Sequence, residues 1–108
     1  MPEEIVLQLT HRDVNLSFFK TRKKEILALR AGEELDFENH ILYTPKEHLP
    51  VAQLSQKMQS DIAVWEKKNY FVVTATIRFI VAWRPKEAPK TEGEHAVILL
   101  DLKLQKRQ

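Results

Sequence analysis

Four histidines, His11, His40, His48 and His95, are the side chains best suited to hold a divalent metal or to exchange a proton near neutral pH. None stands three or four residues from another, so no helical turn could bring two imidazoles onto one ion. His40 and His48 are separated by a segment containing Pro45, which suits surface or turn positions. Nucleophiles are equally sparse. Ser17, Ser55 and Ser60 are the serines, and none lies in a glycine-framed turn. Cysteine is absent, which removes disulfides, thiolate nucleophiles and thiolate metal sites together. Gly32 and Gly93 are isolated, so no glycine-rich loop can cradle a phosphate. These residues supply no catalytic set, no metal ligands and no reason to invoke a cofactor, and the balance lies against an enzyme.

Two further stretches could do chemistry. "LDLK", residues 100–103, has an acidic residue and a lysine two apart at the end of an apolar strand, which resembles the last part of the metal-dependent nuclease signature of the PD-(D/E)xK kind. The resemblance covers three residues, and the signature also requires an acidic residue upstream at the same site. Residues 70–84 contain no Asp or Glu, and an ion pair with Arg78 accounts for Asp101 more simply. The basic run Lys20, Arg22, Lys23 and Lys24 follows Phe18 and Phe19, a mixture that could contact phosphates and stack bases. Glu25, Glu33 and Glu34 follow closely, so the run reads equally well as the solvated start of a helix.

The chain that must position these residues has 108 of them, 44% apolar and 30% charged, with a net charge of +2. That length and balance fit a single globular domain, residues 1–108, and argue against a disordered chain. The charge is too small to announce a dedicated nucleic-acid binder. No apolar run is long enough to span a bilayer, and the first residues, "MPEEIVLQLT", lack the pattern of a secretion signal. With cysteine missing, the expectation is a soluble, cytoplasmic protein without membrane contact.

Residues 71–83 and 96–104 alternate like two strands. Phe71, Val73, Ala75, Ile77, Phe79, Val81 and Trp83 fall on one side, and Ala96, Ile98, Leu100, Leu102 and Leu104 do the same in the last segment. "RPKEAPKTEGE", residues 84–94, reads as the loop between them. A symmetric hairpin pairs 84 with 95 and therefore 83 with 96, 81 with 98, 79 with 100 and 77 with 102, all apolar. The other face then gathers Ile80, Ala82, Val97 and Leu99 into an apolar patch bordered by an Arg78–Asp101 pair. Exposed apolar patches often mark interfaces, so these four are the predicted contact with a second copy or another protein.

Before the hairpin, Val51, Leu54, Met58, Ile62 and Trp65 recur at spacings of three and four and predict a helix over about 50–68, with Pro50 at its first position and Lys67, Lys68 and Asn69 at its end. "TPKE", Thr44 to Glu47, predicts one separate turn. Ile5, Leu7 and Leu9 predict a strand, and Leu35, Phe37, Ile41 and Tyr43 an extended segment interrupted at Asn39. A short second helix is placed at about 22–31. The fold class is therefore α+β: an antiparallel sheet ending in a long C-terminal hairpin, packed on one main helix. The expected function is a non-catalytic interaction module that self-associates or joins a larger assembly; the alternative is a small nucleic-acid-binding protein using residues 20–24.

Overall fold

A computed structural model describes residues 2–84, 86 and 93–107 of the chain. Its fold is α+β, with strands β1 (Glu4–Gln8), β2 (Glu34–Glu38), β3 (Ile41–Tyr43), β4 (Pro50–Gln53), β5 (Tyr70–Trp83) and β6 (His95–Lys106). The helices are a 3-10 helix (Leu16–Thr21), α1 (Lys23–Leu27) and α2 (Gln56–Lys67). The strands form one sheet in the order β1-β6-β5-β2-β3-β4, every neighbouring pair antiparallel.

The sheet curls because one segment ties its two edges together. After β1 the Leu9 N–H still donates to the Leu100 carbonyl at 2.8 Å, on the β6 edge. A few residues later Val14 bridges Leu54, the Asn15 N–H donates to Gln53 and the Ser55 N–H donates to the Asp13 carbonyl, all at the β4 end. Asp13 fixes the corner between these contacts. Its buried carboxylate accepts the Thr10 N–H at 2.8 Å and the Thr10 hydroxyl at 3.2 Å, and Lys57 of α2 reaches it at 3.3 Å. The two carboxylates beside Lys57, Asp13 first and Asp61 second, raise the pKa of that exposed amine.

Inside the curl lies one cluster of buried side chains, to which the sheet contributes Ala96, Ile98, Leu100, Leu102 and Leu104, and the helices Phe19, Ile26, Met58 and Ile62. The predicted inward row of β6 is thus buried in full.

The main helix starts later than its spacing suggested. Residues 50–53 are a strand, and α2 begins after Ser55, whose hydroxyl accepts the Met58 N–H at 3.2 Å as an N-cap. Val51 and Leu54 are buried by sheet contacts, so their spacing from Met58 mimicked a helical stripe. Pro50 fits the start of an edge strand, where its missing N–H costs no ladder bond. The far end agrees with the sequence: Asn69 takes a positive φ of 71° just past the helix, as short polar residues tolerate. Of the predicted 22–31 helix, Lys23–Leu27 forms, preceded by the 3-10 turn over "LSFFKT". The predicted interruption at Asn39 is a two-residue hairpin turn between β2 and β3, with Asn39 and His40 both at positive φ.

The register of the long hairpin also differs. Trp83 pairs with His95, Val81 with Val97 and Phe79 with Leu99, then Ile77 with Leu100 and Ala75 with Leu102, and finally Val72 with Leu104. Two irregularities in β5, at Arg78 and at Val73, each insert one extra residue. Each insertion reverses which β5 side chains face the core. The row sharing a face with the buried β6 side chains is therefore Val72, Ala75, Ile77, Ile80 and Ala82, with Ala82 at the far end exposed, in place of the uniform odd-numbered row.

Candidate functional site

The exposed apolar surface of the hairpin follows from those bulges. Beyond Arg78, side chains 80 and 82 share a face with Ile98 and Ala96, while Phe79, Val81 and Trp83 share the opposite face with Leu99, Val97 and His95. Of the four residues expected to form one patch, Val97 and Leu99 are on that outer face and Ile80 and Ala82 are on the inner one. Phe79 and Val81 take their places. A sequence cannot show a bulge by alternation alone, because an inserted residue leaves the apolar pattern intact and changes only its phase. The available signal was Arg78, a cation in mid-strand that needed room to reach its partners.

Phe79 is 55% exposed and Val81 38%, both large apolar side chains on one face of the sheet. Trp83 and Leu99 beside them are half-buried, and Val97, at 1%, is buried as part of the core cluster. Trp83 and His95 stack obliquely across the two strands, with ring centroids 5.7 Å apart. At the inner border, Arg78 donates to Asp101 at 2.7 Å and to the Leu9 carbonyl at 2.7 Å, spanning β6 to reach β1. Its guanidinium also lies 5.5 Å from the Phe79 ring centre. The expected Arg78–Asp101 pair therefore forms, through the bulge and not through direct opposition.

This outer half of the hairpin is an arm. On the β2 side, β5 is paired only at Ala75 and Thr76, with one further contact where Ile77 bonds to Gly32 and Glu33. Among the described residues no strand lies beside Phe79–Trp83 on that edge. The molecule measures 52 × 30 × 19 Å, and the 14 residues of β5 alone extend about 45 Å at strand rise.

The other predicted residues are scattered and engaged. Phe19 is fully buried, and Phe18 lies under the Arg22 guanidinium at 3.6 Å. Arg22 is spent on the fold, donating to the Phe18 carbonyl at 2.6 Å and the Pro50 carbonyl at 3.1 Å. That leaves Lys20, Lys23 and Lys24 on the surface, without an open aromatic platform beside them. In "LDLK", Asp101 is held by Arg78, and Lys103 lies 3.7 Å from Glu4. His48 stacks flat on Tyr43 at 4.1 Å, and His40 meets Phe37 edge-on at 6.1 Å. Among the described residues no three His, Asp or Glu side chains converge as a metal would require. Nor is any helix among them long and apolar enough to cross a membrane.

Three clefts remain among the described residues. One of about 650 Å³ lies between α1 and the β3–β4 connection, with Ala28, Leu29, Pro45 and Leu49 among its lining and a rim of mixed charge. Another, about 520 Å³, lies where β2 and β5 diverge, below Glu34, Asp36 and Glu38. A third, about 550 Å³, lies between residues 14–17, the end of β4 and the start of α2; it is lined by Ser17 and Ser55, whose hydroxyls are engaged, Ser17 donating to the Asn15 side chain at 2.8 Å and Ser55 accepting the Met58 N–H at 3.2 Å. The first two hold no serine, and the Thr44 hydroxyl in the first accepts the Leu49 N–H at 3.0 Å. No protein-family model, curated protein or solved structure matches the chain.

Proposed function

We propose that this chain is a non-catalytic interaction module that associates with a second copy of itself through the outer arm of the β5–β6 hairpin. The single observation that carries the proposal is the exposure of Phe79 and Val81 side by side on a stretch of β5 that, among the described residues, has no strand along one edge. Keeping such side chains in water is unfavourable by about 25 cal/mol per Å² of apolar surface, and covering them recovers that free energy. A self-complementary patch needs no second gene product, because a two-fold axis presents the same surface twice.

The test uses sedimentation of the full chain over a range of concentrations. The wild type should show a mass that rises with concentration, and the variant carrying Phe79→Lys and Val81→Lys should remain a folded monomer. A wild type that stays monomeric to millimolar concentration would sink the proposal. So would binding to mixed oligonucleotides that weakens steeply with salt and is lost on reversing Lys20, Lys23 and Lys24 to Glu, since it would move the function to the basic cluster.

A further inference from the structure

We infer that two copies pair along the open edges of their β5 strands, antiparallel about a two-fold axis at Val81, so that one sheet runs through both. This rests on the self-association proposed above and specifies how the arm is used.

The exposed Phe79 and Val81 lie on β5, and the direction of the main-chain groups shows which residues of that strand face outward. Ile77 turns its N–H and C=O away from β6, bonding Glu33 at 2.9 Å and Gly32 at 2.7 Å, and the opposed Leu100 turns its carbonyl to Leu9. Along an antiparallel strand this orientation alternates residue by residue. Leu99 and Val97 therefore aim their groups at β5, and Ile98 and Ala96 away from it. Their partners follow: Phe79 and Val81 bond within the hairpin, while Ile80 and Ala82 direct N–H and C=O outward. No described residue meets these groups. An edge of this kind is a template for another strand.

A second copy fits the template. With Val81 on the axis, Ile80 of one copy faces Ala82 of the other, and every outward N–H meets an outward C=O. The same register sets Phe79 beside the second copy's Trp83 and Val81 beside its own counterpart, joining the two exposed patches on one face. Charge does not oppose it. Residues 79–83 are uncharged, and Arg78, which comes opposite the second copy's Arg84, is already neutralised by Asp101. Area argues for the edge as well. The exposed parts of Phe79, Val81, Trp83 and Leu99 amount to about 200–300 Å² per copy if a free aromatic side chain offers about 150–250 Å². A firm interface takes about 600 Å² or more from each partner, so face contact alone falls short and main-chain pairing must contribute. The resulting dimer is weak, with a dissociation constant on the order of 10–100 µM.

Amide hydrogen exchange tests this directly on the full chain. Between dilute and roughly millimolar protein, the Ile80 and Ala82 amides should slow by about five- to fifteenfold, the limit set by the chains still unpaired at that affinity. Val81, already bonded within the hairpin, serves as the internal reference. The variant Ala82→Pro removes one outward donor without touching the bonds to β6 and should be a folded monomer. If the wild type dimerises while the Ile80 and Ala82 amides stay fast, or if Ala82→Pro dimerises as well as wild type, edge pairing is wrong and self-association through the face survives. If the wild type never dimerises, both fail.

Discussion

The same two strands behave differently on either side of Arg78. Toward the chain ends, β5 and β6 are flanked by β2 and β1, and their inward side chains Ala75, Ile77, Leu100, Leu102 and Leu104 are buried under helices. Past Arg78 the strands continue with similarly apolar residues but lose the β2 neighbour on one edge, and Phe79 and Val81 emerge into solvent. Apolar character is thus common to both halves. What separates them is the pairing of edges and the phase of the pleat. A Phe in the body is a packing residue, and a Phe in the arm is available for contact.

The largest expected effect breaks the body half. Phe19 is fully buried against the sheet, and Phe19→Ala should cost about 3–5 kcal/mol through lost transfer energy and the cavity left behind. Chemical denaturation of the dilute monomer measures it. A loss below about 1 kcal/mol would mean the interior collapses around the gap, contrary to a close-packed core.

Next comes the boundary itself. Arg78→Met leaves the Asp101 carboxylate and the Leu9 carbonyl without their donor, each in a part-buried position, and should cost about 1–3 kcal/mol. Because the bulge exists around this side chain, the variant should also let the arm shift phase, which amide exchange along residues 77–83 would reveal. A stability equal to wild type with an unchanged exchange pattern would show that the backbone, and not Arg78, sets the reversal. A smaller effect belongs to the helix that backs the body: Ser55→Ala removes the N-cap of α2 and should cost about 1 kcal/mol, read from the denaturation midpoint.

These contrasts also explain what could be read from the letters. The fold class, the hairpin, the inward row of β6 and the Arg78–Asp101 pair all follow from period-2 alternation and opposite charge, which act over a few residues. The phase of β5 does not, because the odd-numbered row stays apolar straight through Val73 and Arg78 and the insertions show only in the pairing with β6, with Arg78 in mid-strand the one hint in the letters. The α2 start failed for a related reason. Leu54 bridges Val14, far away in sequence, and Val51 is buried within β4, so their three-residue spacing coincided with that of a helix. On the outer face of the hairpin, Val97 and Leu99 could be placed by alternation alone, whereas Phe79 and Val81 required the bulge. Nor can a sequence show that Arg22 of the basic run turns inward to two carbonyls.

The smallest expected effect on stability is in the arm, and it sharpens the comparison most because the residue type is the same as at Phe19. Phe79 projects from an outer face, 55% exposed, with its ring near the Arg78 guanidinium and opposite Leu99. Truncation there opens no cavity, since solvent already occupies the far side. What is lost is the partial cover of Leu99 and an exposed cation–π contact, each about 0.5–1 kcal/mol at most and offset by less apolar surface in water. Phe79→Ala in dilute solution should therefore change stability by under about 1 kcal/mol, several-fold less than Phe19→Ala. At high concentration the order reverses. A variant lacking the Phe79 ring should lose most self-association, while the folded fraction of Phe19→Ala, whose arm is intact, should keep it. Denaturation at two concentrations separates the cases: wild type should gain apparent stability as concentration rises, by mass action, and Phe79→Ala should not. An equal gain in both proteins would place the contact surface somewhere other than the arm.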